Sequence, residues 1–247
     1  MKDNFNLYGK YYDLLYEDKD YDQESVYISE CVKSYHPDAK TILEFGSGTG
    51  KHGLIMQKLG YDVYGLERSL EMIEVAQRQG FHCERADIED FEIGRKFDVV
   101  MSLFHVMSYI TGNDVLGKVF RNASKCLSSG GLFIFDVWYS PAVYYQKPET
   151  RLKVAENNEI RLIRFAEPVC HTDRNIVDVN YTILAKNKDQ ERWIEFSEKH
   201  SMRHFSIPEI KLLASYTGFE FIEAEEFLTR NLPSVHTWGV NFILKKK

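Results

Sequence analysis

The run Glu44-Phe45-Gly46-Ser47-Gly48-Thr49-Gly50 joins a strand-like stretch, residues 41–45, to a helical one carrying Leu54, Ile55 and Leu59. Three alternating glycines at such a junction remove side chains where the backbone turns tightly, and they let a ligand lie against the main chain. Spacing narrows the choice of ligand. A dinucleotide fingerprint places its last glycine three residues after the second, where this sequence has Lys51, and no Gly-Lys-Ser/Thr follows to make a phosphate loop. Glu44 adds a carboxylate, which repels a pyrophosphate and attracts a cation such as an amino acid ammonium.

Outward from this turn, the pattern alternates helix and strand. Residues 22–35 place Tyr27, Ile28, Cys31, Val32 and Tyr35 on one helical face. Strands are expected at 61–66, 81–85, 96–104 and 131–137. Between them, Ser69 caps a helix with Leu70, Ile73 and Ala76 inward and Gly80 at its end, and Asn113 caps another that runs to the Ser-Ser-Gly-Gly of 128–131. Such alternation argues a parallel sheet covered on both faces. The period then changes, and residues 151–204 read as three or four antiparallel strands. Ser206 and Glu209 form a capping box with Pro208 in the first turn of a further helix, and strands at 218–227 and 236–244 close the chain. The expected organisation is an N-terminal lid helix with a ligand-binding α/β core (1–139), an antiparallel β insertion (140–205), and a return to the core (206–247).

A chain of 247 residues with 44% apolar and 28% charged side chains can bury a sizeable core, and it leaves little room for two unrelated domains. The 31 Lys and Arg against 37 Asp and Glu, a net charge of −6, give no electrostatic footprint for nucleic acid or an anionic membrane. Neither partner is expected, and a small-molecule substrate is. The first 22 residues lack the apolar core of a signal peptide and no run approaches a spanning helix, so the cytoplasm is the expected location. Cys31, Cys83, Cys126 and Cys170 lie 52, 43 and 44 residues apart, too far in sequence for a Cys-x-x-Cys zinc or redox motif. They are expected to be buried free thiols, and no metal is expected.

Acidic residues end each of the first three strands. Besides Glu44, Glu67 stands 21 residues after Gly46, where a carboxylate accepts both hydroxyls of a ribose. Asp87 can accept a purine amino group and Ile88 can pack on the ring. Ammonium, ribose and purine together describe S-adenosylmethionine.

On Glu44-x-Gly46-x-Gly48-x-Gly50, Glu67, Asp87-Ile88 and Gly130-Gly131, residues 41 to about 137 resemble a class I S-adenosylmethionine-dependent methyltransferase. The resemblance implies a Rossmann-like sheet of seven strands, the last antiparallel, with the β insertion after strand five. A finer resemblance rests on Tyr12-Asp13-Leu14-Leu15-Tyr16, Lys19-Asp20-Tyr21, Ser102-Leu103-Phe104 and Asp136-Val137-Trp138-Tyr139-Ser140-Pro141. These are similar to the N-methyltransferases and N,N-dimethyltransferases acting on nucleotide-linked deoxyamino sugars. By that resemblance Tyr16 covers the cofactor near its sulfonium, Gly46 meets the methionine part, Glu67 the ribose, and Asp87 and Ile88 the adenine. Gly48, Gly50, Arg68, Leu103 and Phe104 are counted with the cofactor contacts. His105 stands where the dimethylating enzymes are expected to carry a small residue.

Methyl transfer from a sulfonium is an in-line displacement, and an amine must be neutral to attack. Candidate groups to take the proton are His105, Asp136, Tyr139, Tyr16, and His200 or His204, with His105 and Asp136 preferred by position and the histidines at 200 and 204 more readily read as structural. Tyr8, Tyr11, Tyr12, Tyr16 and Tyr21 crowd the N-terminus, as a water-excluding lid would. Tyr12, Trp138 and Tyr139 are candidates to contact the acceptor, and Arg151, Arg161 and Arg164 offer charge for a diphosphate. The leading expectation is methylation of an amino group on a nucleotide-linked sugar. Alternatives are an O-methyltransferase on a sugar or other small metabolite, and a non-catalytic cofactor-binding partner subunit. The insertion offers a surface for a homodimer.

Overall fold

The computed structural model describes residues 6–247, with side chains from residue 11 onward, so the expectation for Tyr8 falls outside the described side chains. Two helices, α1 (Asn6–Leu15) and α2 (Tyr21–Tyr35), precede the sheet. Then come β1 (Thr41–Phe45), α3 (Lys51–Lys58), β2 (Asp62–Glu67), α4 (Leu70–Arg78), β3 (Cys83–Arg85), β4 (Phe97–Ser102), α5 (Asn113–Cys126) and β5 (Leu127–Tyr139). A helix α6 (Ser140–Gln146) leads to a four-stranded meander: β6 (Arg151–Glu156), β7 (Ile160–His171), β8 (Ile176–Asn187) and β9 (Ile194–Phe205). The chain ends with α7 (Ile207–Tyr216), β10 (Phe219–Glu226) and β11 (Gly239–Lys246).

The core strands lie in the order β3-β2-β1-β4-β5-β11-β10. β1 to β5 run parallel, and β11 is antiparallel to both β5 and β10. This is the seven-stranded sheet of the class I methyltransferases. The meander is fastened to it through β9, which pairs in parallel with the end of β5 at Trp138↔His204 and Tyr139↔Phe205.

Alternation along buried strands divides the core between the two faces. Phe45, Phe133, Phe135 and Phe242 pack with Phe120 of α5 and Ile210 of α7, whereas Ile42, Val99 and Met101 face Ile28 and Val32 of α2, Met56 of α3 and Ile73 of α4. α1 stands apart and packs Tyr11 and Leu15 on Leu162 and Ile183 of the meander. In this way the lid and the insertion close on one another above the carboxyl ends of the strands.

Several local expectations are corrected. The third strand begins at Cys83, because Phe81 turns inward to fill the space left by Gly50, Gly53 and Gly65. β5 begins at Leu127, with no loop between it and α5, and α6 follows it without a strong sequence signal. Gly112, not Asn113, precedes the first turn of α5. The Ser206–Glu209 capping box does not form: Glu209 instead accepts from Arg203 Nη2 at 2.6 Å, which ties α7 to the meander. Cys170 is exposed, unlike the other three cysteines.

Candidate functional site

All three glycines of the turn have left-handed backbones, with φ of +67° at Gly46, +55° at Gly48 and +80° at Gly50. Their surroundings differ. A Cβ on Gly46 would lie 2.6 Å from Val106 and one on Gly50 2.6 Å from Phe81, but on Gly48 the nearest atom is Met72 Sδ at 3.8 Å. Gly48 is thus the glycine whose open side a ligand can approach. The turn is anchored to β2, since the Gly46 and Ser47 amides donate to the Leu66 carbonyl at 2.8 and 3.0 Å.

Glu67 ends β2 beside this opening. Its carboxylate accepts the Gly48 amide at 2.9 Å and the Arg68 and Ser69 amides at 2.9 and 2.8 Å. These backbone donors fix the carboxylate's orientation and leave lone pairs for a diol. Asp87 is exposed and, among the described residues, accepts a local amide, that of Glu89 at 3.0 Å. Ile88 is buried beside it. An open glycine, an oriented carboxylate and an acid next to an apolar wall fit an adenosine with an amino acid tail.

Glu44 does not fill the place expected for it. Its side chain is 2% exposed, tucked under the turn against Gly53, with Oε2 sealed from solvent and unpartnered. Burial, with the nearby Glu67 charge, pushes its pKa up to about 8, and the Gly53 amide offsets only part of this. Burial thus favours its protonated form, which weakens it as a counter-charge to an ammonium. Leu103 is likewise core, packed with Ile42 and Met101. Tyr139, expected on the acceptor, is 8% exposed within the aromatic core. Arg68 is exposed, within electrostatic reach of Glu89 and Tyr109.

The loop after β4 carries two consecutive non-glycine residues in the left-handed region, Phe104 at φ +62° and His105 at φ +61°. Such backbone costs on the order of 1–2 kcal/mol per residue, so something must hold it. Asp136, 2% exposed on β5, accepts the His105 amide on both oxygens at 3.2 Å, and the His105 ring Nδ1 lies 2.6 Å from Asp136 Oδ2, a close histidine–carboxylate contact off hydrogen-bond alignment. Burial alone raises the Asp136 carboxyl, but the charge and N–H groups of His105, with Lys19 beyond, hold it below the usual range. Val106 closes the loop against Gly46.

α1 covers this loop. Tyr16 meets Phe104 edge-on at 5.0 Å and stacks obliquely with Tyr12 at 4.8 Å, while Lys19 Nζ lies 4.2 Å from the Phe104 ring centre. Asp13 pairs with Lys51 at 2.8 Å and accepts the Thr49 hydroxyl at 3.3 Å, fixing the lid to the glycine turn. Arg164 of β7 donates to the Tyr16 hydroxyl at 3.1 Å and stacks on Tyr181 of β8 at 4.9 Å. Trp138 meets His105 edge-on at 6.3 Å. Tyr12, Tyr16, Phe104, His105, Asp136, Trp138 and Arg164 are therefore brought together at one end of the sheet. Arg151 and Arg161 are not: both are exposed, and Arg161 pairs with Glu156.

Sequence reading missed Tyr109, Tyr181 and Glu198, which line the same region, and undervalued His200. His200 Nδ1 lies within hydrogen-bond distance of the Tyr109 hydroxyl oxygen, at 2.8 Å. The signal available was the two-residue period that puts Glu198, His200, Met202 and His204 on one face of β9. His204 is buried against Ser140, and burial lowers its pKa to about 4. Among the described residues no cluster of His, Cys, Asp and Glu is arranged to hold a metal ion, and no helix is long and apolar enough to cross a membrane.

Residues 42–131 match a family model described as a methyltransferase domain. The chain is 27% identical over 218 residues, 86% of its length and 90% of the relative's, to dTDP-3-amino-3,4,6-trideoxy-alpha-D-glucopyranose N,N-dimethyltransferase of Streptomyces venezuelae. It is 27% identical, over 84% of its length and 78% of the relative's, to dTDP-4-amino-2,3,4,6-tetradeoxy-D-glucose N,N-dimethyltransferase of Saccharopolyspora spinosa. Among solved structures, an S-adenosylmethionine-dependent methyltransferase from Clostridium acetobutylicum superposes with a TM-score of 0.80 at 22% identity, covering 98% of this chain and 99% of that one.

Proposed function

Since the protein is an S-adenosylmethionine-dependent methyltransferase, we propose that it methylates the amino group of a sugar carried on a nucleoside diphosphate. The observation that carries this reading is the extent of likeness to the two amino-sugar dimethyltransferases. It spans 86% and 84% of the chain, so it cannot be confined to the cofactor half and must include much of the insertion that faces the acceptor.

In this reading Glu67 holds the ribose hydroxyls, Asp87 and Ile88 the adenine, and the open side of Gly48 lets the amino acid tail lie against the main chain. S-adenosylmethionine supplies a methyl group on a sulfonium, activated for displacement. Tyr12 and Tyr16, clamped through Asp13 to Lys51, exclude water above Phe104. Trp138 offers an apolar wall for the sugar. Arg164 is close enough to the lid to attract a diphosphate, although it must exchange its present partner Tyr16 to do so. Asp136 holds the His105 loop in its strained form, which fixes the floor on which nucleophile and methyl are aligned.

A hydroxyl acceptor is the second reading, and the close His105–Asp136 pair favours it because an alcohol needs a base more than an amine does. Incubation with a nucleoside-diphosphate amino sugar and its hydroxyl counterpart separates the two. Methylated amine is the expected product, and turnover of the hydroxyl form alone overturns the proposal.

A further inference from the structure

An acceptor ammonium has to shed a proton before its nitrogen can attack, and each transfer to a neutral amine releases another. The His105–Asp136 pair is engaged in holding the loop after β4. A second histidine–carboxylate pair lies on the insertion. His200 Nε2 is 3.1 Å from Glu198 Oε2, its Nδ1 is 2.8 Å from the Tyr109 hydroxyl oxygen, and the His200 and Glu198 side chains are 4% and 7% exposed.

Burial raises the Tyr109 phenol well above its ordinary pKa, so it keeps its proton. A relay through Nδ1 needs the hydroxyl to donate to Nδ1 and Nε2–H to donate to the Glu198 carboxylate, and the two contacts accommodate this arrangement. This is the Nε2–H tautomer, with Nδ1 placed to take a proton from the hydroxyl. A proton arriving at Nδ1 would create an imidazolium already facing a carboxylate, as in a catalytic triad. Tyr109 ends the 3-10 turn Val106–Tyr109 that directly follows the strained His105, and it packs with Trp138 and Tyr181. The His200 ring meets Tyr181 edge-on at 4.9 Å, and Tyr181 carries Arg164. Besides Glu198 and Tyr181 at His200, the ionisable groups acting on Tyr109 include, among the described residues, Tyr16 and Arg68.

We propose that Tyr109, His200 and Glu198 form a proton relay for the methyl acceptor, with His200 as the base and Glu198 as its positioning residue. It rests on the reading that the acceptor lies between the lid, β5 and the insertion. As the nitrogen–carbon bond forms, the carbon–sulfur pair stays on sulfur. The proton leaving nitrogen passes to the Tyr109 oxygen while Tyr109's own proton moves to His200 Nδ1. After product leaves, the chain resets in reverse: the Tyr109 hydroxyl gives its proton to water in the vacated acceptor site and takes back the one on His200 Nδ1.

The test uses Tyr109→Phe, His200→Gln and the double variant in the full chain. Each single variant is expected to lower kcat on the order of 100-fold, with the double variant no lower, while KM and S-adenosylhomocysteine affinity move less than about threefold. The acidic limb of the kcat profile should disappear in His200→Gln. Unchanged kcat, or a loss carried by KM, overturns the relay. If wild type turns over only a hydroxyl acceptor, the amino-sugar reading fails, and the same variants on that acceptor still decide the relay. Independently of any acceptor, imidazole nitrogen NMR should show His200 as the Nε2–H tautomer, perturbed by Glu198→Gln. The Nδ1–H tautomer overturns the assignment.

Discussion

Three glycines that look equivalent in sequence do different work in the structure. Gly53 and Gly50 make room for Phe81, whose ring atoms would lie 2.2 and 2.6 Å from an added Cβ, whereas a Cβ on Gly48 would meet Met72 Sδ at an ordinary 3.8 Å. Gly53→Ala is therefore expected to destabilise the fold by about 1–3 kcal/mol through overpacking. Gly48→Ala should instead lower S-adenosylhomocysteine affinity at least tenfold for a backbone cost near ~1 kcal/mol. Melting curves and titration calorimetry on the two variants separate these outcomes. Glu44 carries a pH signature. Its folded pKa near 8 lies above the ordinary 4.5, so the folded state binds more protons than the unfolded state between those values. Stability is highest with respect to this group below pH 4.5 and is lost as pH rises through about 8. The melting temperature of Glu44→Gln relative to wild type should therefore rise from pH 5 to pH 8. A constant difference would show that Glu44 is ionised in the fold. The acids were legible as residue types at strand ends, but their ionisation depends on burial, which no residue type by itself specifies.

Among elements, α1 is the one whose role depends most on what it touches. Its described contacts with the core include the Asp13 pair with Lys51, at side chains 40% and 25% exposed, and the Tyr12 edge on Phe104. An exposed pair contributes about 0–1 kcal/mol to stability. Asp13→Ala should hence leave the melting temperature nearly unchanged while raising KM for S-adenosylmethionine roughly three- to tenfold, because the lid closes less often. A matching loss in melting temperature would make Asp13 a stability residue instead. Helices with one apolar stripe, such as α2 and α4, were readable from spacing because their partners are the sheet itself. α6 was not, being seven residues long and defined by packing of Ala142 and Val143 rather than by any periodic stripe. Glu209 went to Arg203 instead of the Ser206 cap, since a nearly buried guanidinium offers a stronger partner than a backbone amide at a helix end.

Across the whole molecule, order should fall from the centre of the sheet to the rim of the insertion. β1 and β4 are paired on both sides and almost wholly buried, whereas among the described residues β6 pairs only with β7, and its residues are exposed or half-buried. Hydrogen exchange is expected to be slowest in β1, β4 and β5 and fastest, among strands, in β6. Equal protection of β6 would mean that its free edge is covered in solution. The sequence by itself determined the parallel sheet, the glycine turn and the acids after the strands, because each follows from periodicity or from spacing within a few residues. Only the tertiary structure decided the acceptor side. Tyr16 meets Arg164 across 148 positions and Tyr109 meets His200 across 91, and such contacts exist because β9 is sewn to the end of β5 and carries the insertion back over the strand ends. Local propensity fixes how each segment folds, but the distance between two side chains is set by the path of all the chain between them.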